Sequence, residues 1–298
     1  MKYDRILPGV LLGVILFATT ASAQSSAPRL NTDGIAKAMG KEGELTGEMY
    51  RVSFPRSDLT VNVNVNGNTV AVKPALGLMG WAGFIKAGST AVTYGDLVVL
   101  EDELNPVISK LEEPGLELSA VHNHLLHETP RVIFIHFVGR GDEVEMAKGL
   151  REALALTKTP IASATSKPET KPEIAAEIER IIGHQGNMGG DVFHITVPRN
   201  DVHVMTMGTM LPGSMGMNTP FNFQIDGKNA AISGDFMLLP AELNPVIKAL
   251  RANGIEVASI HNHLLDNQPS MVFMHFWAYG DAVSLAKGLK AALSQVAS

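Results

Sequence analysis

Ten histidines occur in the 298 residues, and six of them recur in one pattern. The string His-Asn-His, eleven residues and a further histidine appears as His122, His124 and His136, and again as His261, His263 and His275. Neutral imidazole is the commonest protein ligand for transition metals and suits zinc and copper. Three imidazoles with one open coordination position is the arrangement of a catalytic zinc ion, whose bound water titrates near neutral pH. In an extended strand His122 and His124 project to one face and Asn123 to the other. If the segment RVIFIHF pairs back after a five-residue loop, 127–131, His122 lies opposite His136 with Cβ atoms about 5 Å apart. A four-residue loop would turn His136 to the other face. Core histidines bonded to the backbone and copied by duplication are the plainer explanation. Three at metal-compatible spacing, kept in two copies with different neighbours, favour a metal.

The chain has no cysteine, so any further ligands are carboxylates or methionine. Glu103 and Glu242 each stand two residues before an Asn-Pro pair. They are candidate acid–base groups or carboxylates that orient the ligands. A carboxylate stabilised at a helix N-terminus is the slightly favoured alternative. Glu128 lies in the hairpin turn as another candidate base, but its counterpart is Asn267, so a catalytic Glu128 would confine activity to the first copy. Asp96 and Asp235 follow glycine and read as turn residues. Arg56 and Arg199 are suited to a substrate carboxylate or to pairing with Asp58 and Asp201. Only the second copy carries Met205, Met207, Met210, Met215 and Met217. These are soft ligands suited to Cu(I), although core packing is favoured for so adaptable a side chain.

These residues sit in a duplicated frame. Gly95–Leu154 recurs as Gly234–Leu293 at a constant offset of 139, and the segments starting at Met39 and Ile182 match at an offset of 143. Four extra residues therefore fall between Asp58 and Phe84, where a loop is expected. Each copy predicts a leading helix (Thr32–Met39, Pro172–Ile182) and strands at Met49–Phe54 or Val192–Val197. A further strand follows at Ala91–Leu100 or Ala230–Leu239, then a helix opened by Asn105-Pro106 or Asn244-Pro245. The two histidine strands come next, and a closing helix capped by Asp142 or Asp281 ends the copy. Strands and helices mix without strict alternation. The expected fold is α+β, a tandem duplication of one domain with mostly antiparallel or mixed sheet and helices packed on one face.

Residues 1–23 read as a secretory signal: Lys2 and Arg5, an apolar run from Ile6 to Ala18, and Ala21-Ser22-Ala23 as the cleavage site. The run is shorter than the ~20 residues that span a bilayer. A periplasmic or secreted protein with no membrane anchor after cleavage is expected. Residues 24–156 form the first repeat domain, 157–173 a Pro-, Ser-, Thr- and Lys-containing linker, and 174–298 the second. A net charge of −6 provides no field for nucleic acid, leaving a small molecule or a metal ion as partner.

The combined string GDF…ELNPV…HNHLL…P…HFW…GD…LAKGL resembles the LppY/LpqO family, a duplicated exported bacterial domain of unassigned function. The mycobacterial members are lipoproteins. This chain lacks the acylated cysteine, so their anchoring does not carry over. The H-x-H-x11-H spacing is also similar to the zinc motif of acetolactate decarboxylase-like proteins. That likeness implies His122, His124 and His136, or the second triad, as ligands, without implying the decarboxylase substrate. The expectation is an exported zinc-dependent enzyme acting on a small ester or carbonyl. A non-enzymatic zinc or copper binder and an envelope interaction module with packed histidines are the alternatives.

Overall fold

A computed structural model describes residues 1, 29–65, 67–162 and 169–296. Residues 2–23 of the predicted export signal, and residues 163–168 of the predicted linker, lie outside the described residues. No helix among them is long and apolar enough to cross a membrane.

The first repeat opens with helix α1 (Thr32–Met39), capped by the Asn31 side chain, which accepts from the Gly34 N–H. Strands β1 (Glu44–Thr46) and β2 (Met49–Pro55) follow. A hairpin of β3 (Asn62–Val65) and β4 (Asn68–Ala71) and the short helix α2 (Pro74–Gly77) come next. Strands β5 (Met79–Ala87) and β6 (Thr90–Val99), helix α3 (Glu101–Glu112), β7 (Glu117–His122), β8 (Glu128–Thr129), β9 (Ile133–Gly141) and helix α4 (Glu143–Leu154) complete it. The second repeat runs α5 (Glu173–Ile182), β10 (Gly186–Gly189), β11 (Val192–Pro198), β12 (Met205–Thr206), β13 (Thr209–Met210), β14 (Asn218–Asp226) and β15 (Asn229–Leu238). It ends with α6 (Leu243–Ala252), β16 (Glu256–His261), β17 (Val272–Asp281) and α7 (Ala282–Leu293).

Each repeat builds one six-stranded antiparallel sheet of the same topology, β1-β2-β5-β6-β9-β7 and β10-β11-β14-β15-β17-β16. The fold is α+β, as the element pattern predicts. The four extra residues lie in the excursion between β2 and β5, and there the copies diverge. The first has β3, β4 and α2; the second has β12, β13 and a single 3₁₀ turn.

Asp142 and Asp281 cap α4 and α7 as predicted, accepting from the Val144 and Ser284 N–H groups among others. Asn105 is not an N-cap. Helix α3 begins at Glu101, because the Glu103 carboxylate reaches back to the Leu100 N–H at 2.9 Å and closes a turn earlier. Pro106 then lies inside the helix, whereas Pro245 falls in the first turn of α6.

Strand alternation divides the core. Ile133, Ile135 and Phe137 of β9 face α1, α3 and α4, in a cluster with Ile35, Val107 and Leu150. Phe134, His136 and Val138 face the opposite way. That second face is also buried, because the two sheets cover one another there. Tyr94, Val92 and Val138 pack with Met215, Met237 and Phe273, and Val98 and Phe134 join Val192 and Trp277. The layers are therefore helix, sheet, sheet, helix, with the inward faces of both repeats in contact.

Candidate metal centre

The histidines end up in that middle layer. His122 closes β7 opposite Phe134, not opposite His136 as the five-residue loop predicts. The connection between the strands sets a register two residues from the predicted one, with Ala120 opposite His136, and a bulge at Ser119 offsets Leu118, opposite Phe137, by one more. A shift of two preserves parity, so His122 and His136 still share the inward face. His124 lies beyond the strand, its ring stacked on Phe134 with centroids 3.4 Å apart. The second copy repeats this: His261 opposite Phe273, a bulge between Val257 and Ser259, and His263 stacked on Phe273 at 3.4 Å.

The two triads do not form separate sites. His122 and His261 stack on each other across the repeat boundary, with centroids 4.0 Å apart and planes within 8°. His275 of the second repeat lies against His124 of the first at 3.7 Å, and His136 against His263 at 4.4 Å. His136 Nε2 is 3.3 Å from His261 Nε2. Three groups bring their ligand atoms within 4.8 Å of one another: His122, His261 and His275; His136, His261 and His263; and Asp96, His122 and His124. Two of the three mix repeats. The structure thus replaces one three-histidine site per copy with one composite cluster about a pseudo-twofold axis.

Two carboxylates complete it. Asp96 on β6 lies directly across from His136, and Asp235 on β15 across from His275. Their Oδ2 atoms stand 3.2 Å from His124 Nε2 and 3.0 Å from His263 Nε2. Reading the Gly-Asp steps as turns is therefore corrected, since both lie mid-strand and buried. The glycines are required there. A Cβ at Gly95 would come within 2.3 Å of the Trp81 carbonyl oxygen, and one at Gly234 within 2.2 Å of that of Pro220. The recurrence of both aspartates at the constant offset was the signal available in the sequence.

Hydrogen bonding orients the rings without satisfying them. His136 Nδ1 donates to the Gly95 carbonyl (3.1 Å) and lies 3.0 Å from the Tyr94 hydroxyl; His275 Nδ1 donates to the Gly234 carbonyl (2.9 Å). A neutral imidazole holding its proton on Nδ1 presents a lone pair at Nε2, as a ligand oriented through a backbone carbonyl does. His275 Nε2 has no hydrogen-bond partner, nor do His122 Nδ1, His261 Nδ1 or one oxygen of each aspartate. Unpaired buried polar atoms are costly, and a cation would satisfy those that point inward.

Burial, reinforced in most cases by neighbouring imidazoles, holds His122, His124, His261, His263 and His275 well below the ordinary histidine range; His136 falls to about 4. All six are therefore neutral near pH 7, the form that binds metals. Burial raises Asp96 to about 7, with His136 pulling it down and Asp235 pushing it up, and raises Asp235 to about 6.

The glutamates singled out in the sequence lie elsewhere. Glu103 accepts from Arg56 (2.7 Å) as well as capping α3, and Glu242 does the same with Arg199 (3.0 Å) and the Leu239 N–H (2.7 Å). Arg56 and Arg199 are also paired with Asp58 and Asp201. The pairs form a buried ionic brace on each repeat, and neither glutamate lines the histidine cavity. Glu128, half-buried on β8, lines a separate small pocket with Asn123 and His127. Of the methionines, Met215 and Met217 are buried in the core between the sheets, while Met205 and Met210 form an exposed cross-strand pair. No converging thioether set forms among them.

The cluster opens onto a cavity of about 1080 Å³. One wall carries Arg51, Trp81 and Tyr94; the corresponding positions of the other wall are His194, Pro220 and Ser233. Arg51 and Trp81 were not singled out in the sequence, since only proximity to the cluster distinguishes them.

A family model described as Domain of Unknown Function (DUF1259) matches residues 33–156 and again 176–295. No curated protein and no solved structure matches the chain.

Proposed function

This chain belongs to that family of unknown function, its domain occurring here twice, and on that premise we propose a metal-dependent enzyme whose centre lies between its repeats. Zinc is the metal favoured, and the substrate class is a small ester or carbonyl compound. One observation carries the reading. Six neutral, inward-facing imidazoles from both repeats converge beside two buried carboxylates, with polar atoms that no protein group satisfies, at the edge of a cavity of substrate size. A bound zinc ion supplies a Lewis acid that polarises a carbonyl or brings a water ligand's titration near neutrality. The chain's own residues do the rest. The Gly95 and Gly234 carbonyls hold His136 and His275 in the ligating tautomer. Asp96 and Asp235, beside His124 and His263, are placed to orient those rings and to accept a proton from water or substrate. The buried inter-sheet layer excludes bulk water from one side of the centre.

A metal carrier without catalysis is the second reading, favoured by the ligand surplus: six imidazoles exceed the three that a catalytic zinc uses. Elemental analysis of the full chain purified without chelators, followed by assay on 4-nitrophenyl acetate and small oxo acids, separates the two. The enzyme reading expects bound zinc and turnover that dipicolinate abolishes and zinc restores. Zinc without turnover above free zinc supports the carrier; no bound metal refutes both. Export to the periplasm or beyond is part of the same proposal, and a mature chain beginning at Gln24 is its check.

A further inference from the structure

Arg51 is a feature of the cavity that a metal centre leaves unexplained. It lies on β2 with Ser53 and Pro55 on the inward side, while Tyr50, Val52 and Phe54 enter the helix-facing core. Its guanidinium carbon stands 4.3 Å from the centre of the Trp81 ring, within cation–π range. Trp81 in turn packs edge-on against Tyr94, whose hydroxyl touches His136. Among the described residues the guanidinium has no hydrogen bond and no ion pair. Glu44 is opposite in the β1–β2 register, but it is exposed and makes no ion pair with Arg51. Burial draws Arg51 down to about 10, with Glu44, Asp96 and Tyr94 pulling the other way, so it stays charged at neutral pH. The matching position of the other wall is satisfied within the protein: His194 Nδ1 lies 2.7 Å from Asn222 Oδ1.

We infer that Arg51 anchors a carboxylate of the substrate, so that the cavity takes a small monoanion with its reacting carbonyl or ester end toward His136 and Asp96. A guanidinium seated over an indole and hydrogen-bonded to no protein group keeps its N–H groups free, and that planar fork matches a carboxylate bidentately. A single negative charge suits the cavity better than a dianion. Arg51 and Lys41 are its cations, and Glu42, Glu44, Glu169 and Asp191 also line it. The reacting end of this assignment rests on the metal reading above; the anchoring end does not.

The test is calorimetric titration of the full chain, zinc-loaded and zinc-free, with pyruvate, its neutral amide and inorganic phosphate. Zinc affinity is measured in parallel. Wild type is expected to bind pyruvate ten- to a hundredfold more tightly than the amide, the range for hydrogen bonds to a charged group. Arg51→Gln should lose that preference while keeping wild-type zinc affinity, and Arg51→Lys should retain part of it. Equal affinity for pyruvate and the amide, tighter binding of phosphate than of pyruvate, or a preference that survives Arg51→Gln would overturn the inference. Loss of zinc uptake by Arg51→Gln would mean misfolding, and Arg51→Lys then decides: pyruvate preference equal to wild type overturns, a reduced one supports. A wild type that prefers pyruvate yet takes up no zinc would leave the anchor standing and sink the metal reading alone.

Discussion

If His122 and His275 serve the same ion, removing either should cost the same and removing both should cost no more. The rings belong to different repeats, lie 5.2 Å apart and share one ligand group with His261. At a free zinc concentration one hundred times the dissociation constant, binding stabilises a folded chain by about 2.7 kcal/mol, a gain of roughly 5 to 11 °C in Tm for a protein of this size. A variant that binds about a hundredfold more weakly keeps only about 0.4 kcal/mol at the same zinc concentration, or roughly 1 to 2 °C. His275→Ala and His122→Ala should each collapse the zinc-induced gain attached to that ion to this level, with the double variant indistinguishable from either. The assay is differential scanning calorimetry with and without zinc, each variant referred to its own metal-free Tm so that the cavity left by the deleted ring cancels. A double variant that loses the sum of two separate partial gains, or a single variant that keeps its gain whole, would mean that the repeats bind metal independently, and the composite centre would be wrong.

Acid should destabilise the metal-free protein. Folded His136 resists protonation down to about 4, whereas the unfolded side chain takes a proton near 6.5, so stability is full above 6.5 and is lost as pH falls through that window, by roughly 3 kcal/mol for this residue. The other five depressed histidines act in the same direction. Asp96, raised to about 7, opposes them, because its burial favours folding only while it is protonated. Six groups against two should leave a net loss, read as a falling urea midpoint between pH 6.5 and 4; a rising midpoint would contradict the burial of the rings. Arg56→Ala should cost about 3 to 5 kcal/mol in urea unfolding, by stranding Glu103 and Asp58, while leaving zinc affinity intact. A loss below about 1 kcal/mol would show the brace to be dispensable. Gly95→Ala forces a methyl against the Trp81 carbonyl and should cost roughly 1 to 3 kcal/mol. It should also weaken zinc binding by displacing the carbonyl that holds His136, and unchanged zinc affinity would count against that orienting role.

Periodicity and repetition made much of the frame legible. The caps at Asp142 and Asp281, helix α1 at its observed ends and the α+β plan all follow from local residue chemistry. So does the shared face of His122 and His136, because parity survived a two-residue error in register. The centre itself was less legible, for two physical reasons. A Gly-Asp step has the local chemistry of a turn, and only the tight packing around Gly95 and Gly234 turns it into a strand pair bearing an aspartate. The pairing of His124 with His275 depends on two sheets meeting face to face, a long-range event that no spacing along either copy encodes. The glutamates show the converse. Glu103 has the residue type for catalysis, but a buried arginine 47 positions away claims it.

The pseudo-twofold arrangement has a consequence for how reactants approach. A molecule with a single copy would have to pair with itself to gather six rings, and both sides of its pit would then be identical. Whatever stood at the place of Arg51 would stand there twice, and a ligand could enter in two equivalent poses. Joining the copies in one polypeptide lets the sides differ, arginine and indole on one, His194 and Pro220 on the other. The pit thereby gains a head and a tail, and a guest with unlike ends can be handled in one pose, so that chemistry at a symmetric ligand set can still be stereochemically directed.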